Sequence, residues 1–310
     1  MPFKESACKD MSVPKEVLQK YEKAGKIAHE VREEAKNFVH EDMPLIDICE
    51  KVESLIRKKG GKPAFPCNVS VNEIAAHYTS PPLDKRVVPK GSIVKVDIGV
   101  HIEGYIADTA VTVCFSQEQK NLVETAEKAL ETAVKILRPG LSFSRFGSTI
   151  EEVIRGNGLK PISNLTGHQV GRYLIHTGKS LPNISHLSIS RINEGEIFAV
   201  EPFVTVKDAA GRVGSSSEAY IFRFLKQKTL KNPYAKQLLD FIKGNFFTLP
   251  FAERWLQDFL SLQHFRDAFH ELLSSKSLMS YPVFIEVSRK PVAQAEHTVL
   301  IEKDGCHVLT

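Results

Sequence analysis

The sequence GSIVKVDIGVHIEGYIADTAVTV, residues 91–113, decides the fold of this chain. β-Branched residues are frequent in residues 93–100 and 105–113, and Glu103-Gly104 interrupts them. This pattern predicts two antiparallel strands that are joined by a tight turn.

Each predicted strand carries one aspartate, Asp97 on the first and Asp108 on the second. A turn centred between Ile102 and Glu103 would place them directly opposite each other on one face of the sheet. Carboxylates at cross-strand distance, with Cβ atoms about 4.5–5.5 Å apart, repel each other and raise one pKa. Divalent cations would remove this conflict, but the alternation also describes an ordinary strand with one face in water. The hairpin alone leaves both interpretations open.

A second copy of this pattern lies further along the chain. The sequence GSIVKVD at 91–97 recurs as GEIFAVE at 195–201, and IRKKGGKP at 56–63 recurs as IRGNGLKP at 154–161. An amphipathic helix is predicted before each Ile-Arg motif. These matching pairs predict an α+β fold made of two helix-helix-hairpin units that are related by a pseudo-twofold axis.

The duplication also groups candidate functional residues. Glu201 takes the place of Asp97 in the second copy, so we expect both acids at the shared axis. His77 and His176 are separated by nearly the repeat offset. Both histidines are therefore expected to face one cavity from opposite halves.

A helical region interrupts the strands of the second half. Apolar residues at helical spacing predict helices before a strand that resumes at Pro282. The predicted helices lie near 233–243, 249–261 and 264–274. We interpret residues 226–284 as an inserted helical subdomain within a single catalytic domain, residues 1–310. Packing explains its apolar positions better than a partner-binding face does.

Composition limits the class of protein. With 310 residues, 42% of them hydrophobic and 25% charged, the chain can bury a large core as a soluble enzyme does. Residues 1–12 are predicted to be a short mobile leader, and no segment has the apolar length of a signal peptide or membrane span. Five scattered cysteines without a Cys-x-x-Cys pair fit reduced thiols, which predicts a cytoplasmic protein. A net charge of +4 permits weak attraction to RNA but does not define a nucleic-acid-binding module.

Four short motifs resemble one family. They are AAHYT around His77, GHQVG around His168, IHTGK around His176 and QAEHT around Glu296. In order and spacing they resemble the type 2 methionine aminopeptidases, which have the pita-bread (creatinase/aminopeptidase) fold. The resemblance covers nearly the whole chain, and the long segment before Glu296 matches the helical insertion of that class. Without a long charged N-terminal extension, the chain looks like an archaeal-type minimal form.

The resemblance implies two divalent metal ions and five ligands. The implied ligands are Asp97, Asp108, His168, Glu201 and Glu296. Asp108 and Glu296 would bridge the ions, Asp97 would complete one shell, and His168 with Glu201 would complete the other. Four carboxylates and one imidazole make an oxygen-rich site that suits Co, Mn or Fe, with Zn also suitable.

The implied activity is removal of the initiator methionine from nascent proteins and peptides with a small second residue. A metal-bridging hydroxide would attack the first peptide bond, because such a site can lower the pKa of a shared water to about 7. His77 and His176 would bind the substrate and donate hydrogen bonds in the transition state, and Glu201 would also shuttle a proton. The residues lining the methionine pocket would be Phe65, Ile175 and Tyr281.

Two other functions share this fold. A Xaa-Pro aminopeptidase or prolidase would cut before proline, but the long segment between Glu201 and Glu296 argues against it. A non-catalytic relative would bind RNA or ribosomes, yet all five implied ligands are present. The expected partners are N-terminal methionyl peptides and nascent chains, with transient ribosome association. We expect a monomer without membrane binding or sequence-specific nucleic-acid binding.

Overall fold

The computed structural model describes residues 13–257 and 259–310. The predicted leader, residues 1–12, lies outside the described residues. The helices are α1 (Lys15–Phe38), α2 (Leu45–Lys58), α3 (Lys120–Ile136), α4 (Phe143–Gly156), α5 (Pro233–Phe246) and α6 (Leu262–Ser274). The strands of the first half are β1 (Lys62–Pro63), β2 (Asn68–Val71), β3 (Ile74–Ala76), β4 (Ile93–Ile102) and β5 (Tyr105–Cys114). The next strands are β6 (Lys160–Pro161), β7 (Thr166–Gln169), β8 (Ser180–Pro182), β9 (Ile197–Val200), β10 (Phe203–Thr205) and β11 (Val213–Phe224). The last strands are β12 (Phe251–Ala252), β13 (Leu278–Glu286), β14 (Val292–Gln294), β15 (His297–Glu302) and β16 (Gly305–Val308).

The predicted central hairpin is present, but its register differs from the prediction. In the antiparallel pair β4–β5, Asp97 lies opposite Ala110 and Asp108 lies opposite Gly99. The prediction that the two aspartates face each other directly is therefore wrong. They are diagonal neighbours on one face, about 7–8 Å apart, because side chains on a strand alternate with period two.

The turn explains this difference in register. Glu103 and Gly104 both have positive φ angles, 51° and 90°. These values are typical of the two-residue turns that match the twist of a hairpin. The predicted turn centre lies one residue too early, and a shift of one residue at the turn moves the pairing by two.

The predicted duplication is confirmed in the helix pair and the first strand of each unit. The hairpin is present in the first unit, whereas in the second unit β9 and β10 pair with β15 and β14 near the C-terminus. Helices α1 and α2 precede β1, and α3 and α4 precede β6. Pro63 of β1 pairs with Val100 of β4, and Pro161 of β6 pairs with Val204 of β10. The two Ile-Arg-x-x-Gly-x-Lys-Pro motifs thus end in equivalent edge strands, as an internal duplication requires.

Each unit packs its helices on its own strands. The buried face of α1 includes Ala24, Ala28 and Val31, which belong to one core cluster with Val94 and Val96 of β4. A second core cluster contains the buried faces of α3 and α4 together with β9. The small residues on α1 allow close approach of helix and sheet, so the strands that carry the acids have a rigid backing.

The helical region lies between β11 and β13, which pair antiparallel. Helices α5 and α6 confirm two predicted helices, but the helix expected at 249–261 is wrong. That segment contains β12 and a short 3-10 helix, Glu253–Leu256. Pro250 favours an extended residue before it, and β12 then pairs with β11. The strand after the helices begins at Leu278 rather than at Pro282.

Apolar side chains of α5 and α6 form a core cluster of their own. This cluster also includes Phe222 of β11 and Leu278 of β13, which fix the helices to the strands. The division at residues 226–284 stays a prediction. In the described part of the chain, no helix combines the length and apolar character that a bilayer crossing requires.

Candidate active site

Both halves of the molecule contribute to one cavity of about 210 Å³. Its lining includes all ten residues selected from the sequence: the five predicted ligands, the two predicted histidines and the three predicted pocket residues. Residues of β13 and Pro250 also line it. The cavity is the candidate active site.

Equivalent strand positions bring the acids together. Asp97 lies opposite Ala110 on β5, and Glu296 forms a β-bridge to the other side of Ala110. Asp108 lies two residues from Ala110, on the same face. The three acids therefore converge from three adjacent chain segments.

Strands β7 and β9 of the second half bring one histidine and one acid to the same group. His168 of β7 lies opposite Ala199 of β9, and Glu201 follows Ala199 by two residues on the same face. His168 Nε2 is 3.3 Å from Glu201 Oε1 and 3.7 Å from Asp108 Oδ2. Single donor atoms of Asp108, His168 and Glu296 lie within 4.8 Å of one another, and all three residues are buried.

The electrostatics of the four acids are unfavourable without a cation. Burial raises the pKa of Asp97 to about 7 and raises the pKa values of Asp108, Glu201 and Glu296 well above their ordinary range. For the last three, neighbouring carboxylates raise the pKa further. The Oδ1 atoms of Asp97 and Asp108 are buried without a hydrogen-bond partner in the described part of the chain. This donor set therefore fits divalent cations, which would neutralise the charges and bind the free oxygens.

His168 is held in the form that binds a metal. Its Nδ1 lies 2.9 Å from the carbonyl oxygen of Ile175, so Nδ1 carries the proton and donates. Burial is the main cause that lowers the pKa of His168 well below its usual range, so the ring is neutral. The lone pair of Nε2 consequently faces the acids, as in protein metal centres.

Gln294 is a site residue that the sequence analysis did not select. Its Nε2 donates to Glu296 Oε2 at 3.2 Å and to Glu201 Oε2 at 3.4 Å. One amide thus orients two acids that lie far apart in the chain. The Gln-x-Glu spacing was a usable signal, because alternation puts Gln294 and Glu296 on one face of an extended chain.

Arg32 of α1 is a second residue that was missed. Its Nη1 donates to Thr109 Oγ1 at 2.6 Å and to His297 Nδ1 at 3.0 Å. The Thr109 hydroxyl in turn donates to the carbonyl oxygen of Glu296 at 2.8 Å. A single guanidinium therefore connects the residues that follow Asp108 and Glu296. No local pattern distinguishes this arginine from a surface arginine on a helix.

His77 and His176 lie beside the acidic group. The ring of His176 packs against His168 with centroids 4.3 Å apart. His77 has a φ of 64° and its ring lies 4.6 Å from Phe284 and 5.5 Å from Tyr281. Burial lowers the pKa of His77 to about 4 and also lowers the pKa of His176. Both rings are neutral near pH 7 and can donate an N–H.

One end of the cavity is apolar. Phe65 and Ile175 are buried in a small cluster with Ile106 and Leu249. A Cβ on Gly99 would lie 2.2 Å from the Phe65 ring, so a glycine at this position allows the ring to lie over β4. Tyr281 of β13 lines the same cavity. An unbranched apolar side chain could be accommodated here.

The raised carboxyl pKa values predict how pH affects stability. Above about pH 4 the folded metal-free protein holds protons that the unfolded chain has released. The stability that these groups contribute is therefore present below about pH 4 and is lost as pH rises through about 7, the pKa of Asp97. Because bound cations replace these protons, we expect Mn²⁺ to raise Tm more at about pH 7.5 than at about pH 5, by at least about 2 °C.

Thermal unfolding of chelator-treated protein, with and without Mn²⁺ at both pH values, measures this difference. An equal rise in Tm at both pH values would contradict the assigned protonation of the acids.

The duplicated fold and the buried carboxylate–histidine group are those of a metal-dependent hydrolase. Residues 19–302 match metallopeptidase family M24. The chain is 42% identical over 297 residues to a methionine aminopeptidase of Methanothermobacter thermautotrophicus, covering 95% of this chain and 99% of the relative. It is 45% identical over 289 residues to that of Thermococcus kodakarensis, covering 93% and 97%. The chain therefore belongs to the methionine aminopeptidases of metallopeptidase family M24, and it binds divalent metal.

Solved structures support the pita-bread fold. A thermophilic Arx1 superposes with a TM-score of 0.82 at 19% identity, covering 96% of this chain and 91% of that one. A methionine aminopeptidase of Thermotoga maritima superposes with a TM-score of 0.70 at 24% identity, covering 97% and 98%.

Proposed function

We propose that this chain removes the N-terminal methionine from peptides and nascent proteins whose second residue is small, using two divalent ions. The proposed ligands are Asp97, Asp108, His168, Glu201 and Glu296. The main support is the buried group of Asp108, His168 and Glu296, whose donor atoms lie within 4.8 Å of one another. A group of acids this close and this buried is stable in its ionised form only with cations.

The proposed division of ligands is the one that the family resemblance implies. Asp108 and Glu296 would serve both ions, Asp97 would serve one ion, and His168 with Glu201 would serve the other. When bound, such ions polarise the scissile carbonyl and lower the pKa of a water to about 7. Oxygen-rich coordination favours Mn, Fe or Co, and Zn also fits.

The protein's own side chains would position and protonate the substrate. His77 and His176 are neutral donors beside the acidic group, and they would hydrogen-bond the oxygen that becomes negative as the amide is attacked. Glu201 would accept a proton from the nucleophilic water and pass it to the leaving amine. Burial of this group excludes bulk water and strengthens each of these interactions.

The apolar end of the cavity would bind the methionine side chain. Phe65 and Ile175 offer buried apolar surface, and Tyr281 completes the proposed pocket. A thioether on an unbranched chain fills such a pocket and makes favourable sulfur–aromatic contacts. The small cavity volume of about 210 Å³ supports the preference for a small second residue.

A peptide assay tests this function directly. Mn²⁺-loaded protein is incubated with Met-Ala-Ser, Met-Leu-Ser and Xaa-Pro peptides, and the released amino acid is quantified by mass spectrometry. We expect Met-Ala-Ser to be cut first, at least about 10-fold faster than Met-Leu-Ser, because added methylenes at a closed site cost roughly 1–3 kcal/mol. Preferential release from the Xaa-Pro peptides would favour a prolidase-like enzyme instead. Intact methionyl peptides would overturn the proposal.

The proposed substrates set the cellular context. Nascent chains carry the initiator methionine where they are made, so we propose that the protein works in the cytoplasm in transient contact with ribosomes. A monomer suffices, because all ten proposed site residues come from one chain.

A further inference from the structure

One wall of the active-site cavity is made by the paired strands β11 and β13. Ile221 lies opposite Tyr281 in this pair, and both side chains line the cavity. Arg223 lies opposite Met279, two residues further along each strand and on the same face. The intervening Phe222 faces the opposite way, into the core of the α5–α6 region. Arg223 therefore extends the cavity wall by one side chain.

Exposure increases in the direction of Arg223. Ile221 is buried, whereas Arg223 is half-buried. A peptide that leaves the cavity along this wall would pass Ile221 first and Arg223 next. Extended chains advance about 3.3 Å per residue, so Arg223 lies about two peptide residues further out than Ile221, and we expect the third and fourth residues beside it.

Among the residues that the structure describes, the guanidinium of Arg223 has no anionic partner. Its Nε donates to Met279 Sδ at 2.9 Å, which aligns the side chain along the wall. Within the described residues, no carboxylate oxygen lies within 4.0 Å of it, and its other close neighbour is the side chain of Tyr281, with which it hydrogen-bonds. A partly buried cation without an anionic partner attracts carboxylates.

The charge of Arg223 also acts on residues of the cavity itself. Burial lowers the pKa of His176, and the positive charge of Arg223 lowers it further. Burial raises the pKa of Tyr281, and the same charge opposes that rise. Arg223 is therefore close enough to the reaction site to affect a passing substrate electrostatically.

We propose that Arg223 is a specificity-determining residue that favours substrates with an acidic side chain at the third or fourth position. This inference rests on the proposed removal of N-terminal methionine. Arg223 would attract the acidic side chain as the peptide enters, and it would disfavour a basic side chain at the same place.

Three matched peptides test the inference. Met-Ala-Xaa-Xaa-Ser-Ser carries Glu, Gln or Lys at both Xaa positions, and kcat/KM for methionine release is measured at low and high salt. We expect the order Glu, Gln, Lys, with about a three- to ten-fold advantage of Glu over Lys at low salt. High salt should reduce this advantage, because ions screen a pair at the cavity mouth.

Two substitutions locate the effect. In Arg223→Gln, the ratio of kcat/KM between the Glu and Lys peptides should fall to about one. Arg223→Lys should retain part of the preference for the Glu peptide. Lys226→Gln is the matched control, because it removes an equal charge from the exposed segment after β11 and should keep the ratio. Equal rates with all three peptides in the unaltered protein, or a ratio that survives in Arg223→Gln, would overturn the inference. Absence of methionine release from every peptide would instead overturn the proposed function.

Discussion

Glu296→Ala is expected to lose bound metal and methionine release together. Metal affinity should fall by more than about 100-fold. Substitution of a residue that only hydrogen-bonds a metal ligand lowers the affinity by about 10- to 100-fold, so a larger loss indicates a direct ligand. Glu296 is buried, and one of its oxygens lies within 4.8 Å of donor atoms of both Asp108 and His168. A water in place of its carboxylate would carry no negative charge and would hold the metal less tightly, so activity at limiting metal should fall at least about 1000-fold.

Metal content by plasma mass spectrometry and Mn²⁺ affinity by calorimetry measure the first effect, and the Met-Ala-Ser assay measures the second. Glu302→Ala is the matched control, since Glu302 ends β15, the strand that begins directly after Glu296, and its side chain is exposed. That variant should retain metal and activity. A Glu296→Ala protein that is folded by circular dichroism and still binds Mn²⁺ with unchanged affinity would contradict the ligand role.

His77→Ala is expected to keep its metal and lose rate. The value of kcat should fall about 10²- to 10³-fold, as happens when a single transition-state hydrogen-bond donor is removed. His77 lines the cavity with a neutral ring, and it lies outside the close group formed by Asp108, His168 and Glu296. Its loss should therefore leave Mn²⁺ affinity within about two-fold, because the proposed ligands are unchanged.

The backbone at His77 requires a second variant. With φ at 64°, alanine is strained at this position and glycine is not. His77→Gly therefore removes the ring without adding strain, and an equal loss of kcat in both variants assigns the effect to the imidazole. Loss of metal in His77→Ala to the same degree as in Glu296→Ala would refute the separation between ligand and donor.

The central hairpin shows why local patterns were predictable. Strands β4 and β5 follow from alternation and β-branched residues within one continuous stretch, and two repeated motifs revealed the duplication. Both signals depend on neighbouring residues in the chain. The position of the turn was not predictable in this way. The choice between two turn centres one residue apart depends on backbone dihedral angles that several residue types can adopt.

The segment at 249–261 shows the opposite case. Its apolar spacing favoured a helix, but pairing with β11 made Phe251–Ala252 a strand. Tertiary hydrogen bonds outweigh the few tenths of a kcal/mol per residue by which helix propensities differ. Local reasoning fails where a distant strand offers a partner.

The sequence by itself determined the α+β class and the duplication, because both are encoded by residue type and spacing. Its motifs, through their resemblance to one family, also predicted ten of the residues that line the cavity. Only the tertiary structure decided that Asp97 and Asp108 are diagonal, that Gln294 contacts both Glu201 and Glu296, and that Arg223 extends the cavity wall. Distances between side chains depend on strand register and on contacts between residues far apart in the chain. Spacing along the chain specifies neither the strand register nor these long-range contacts.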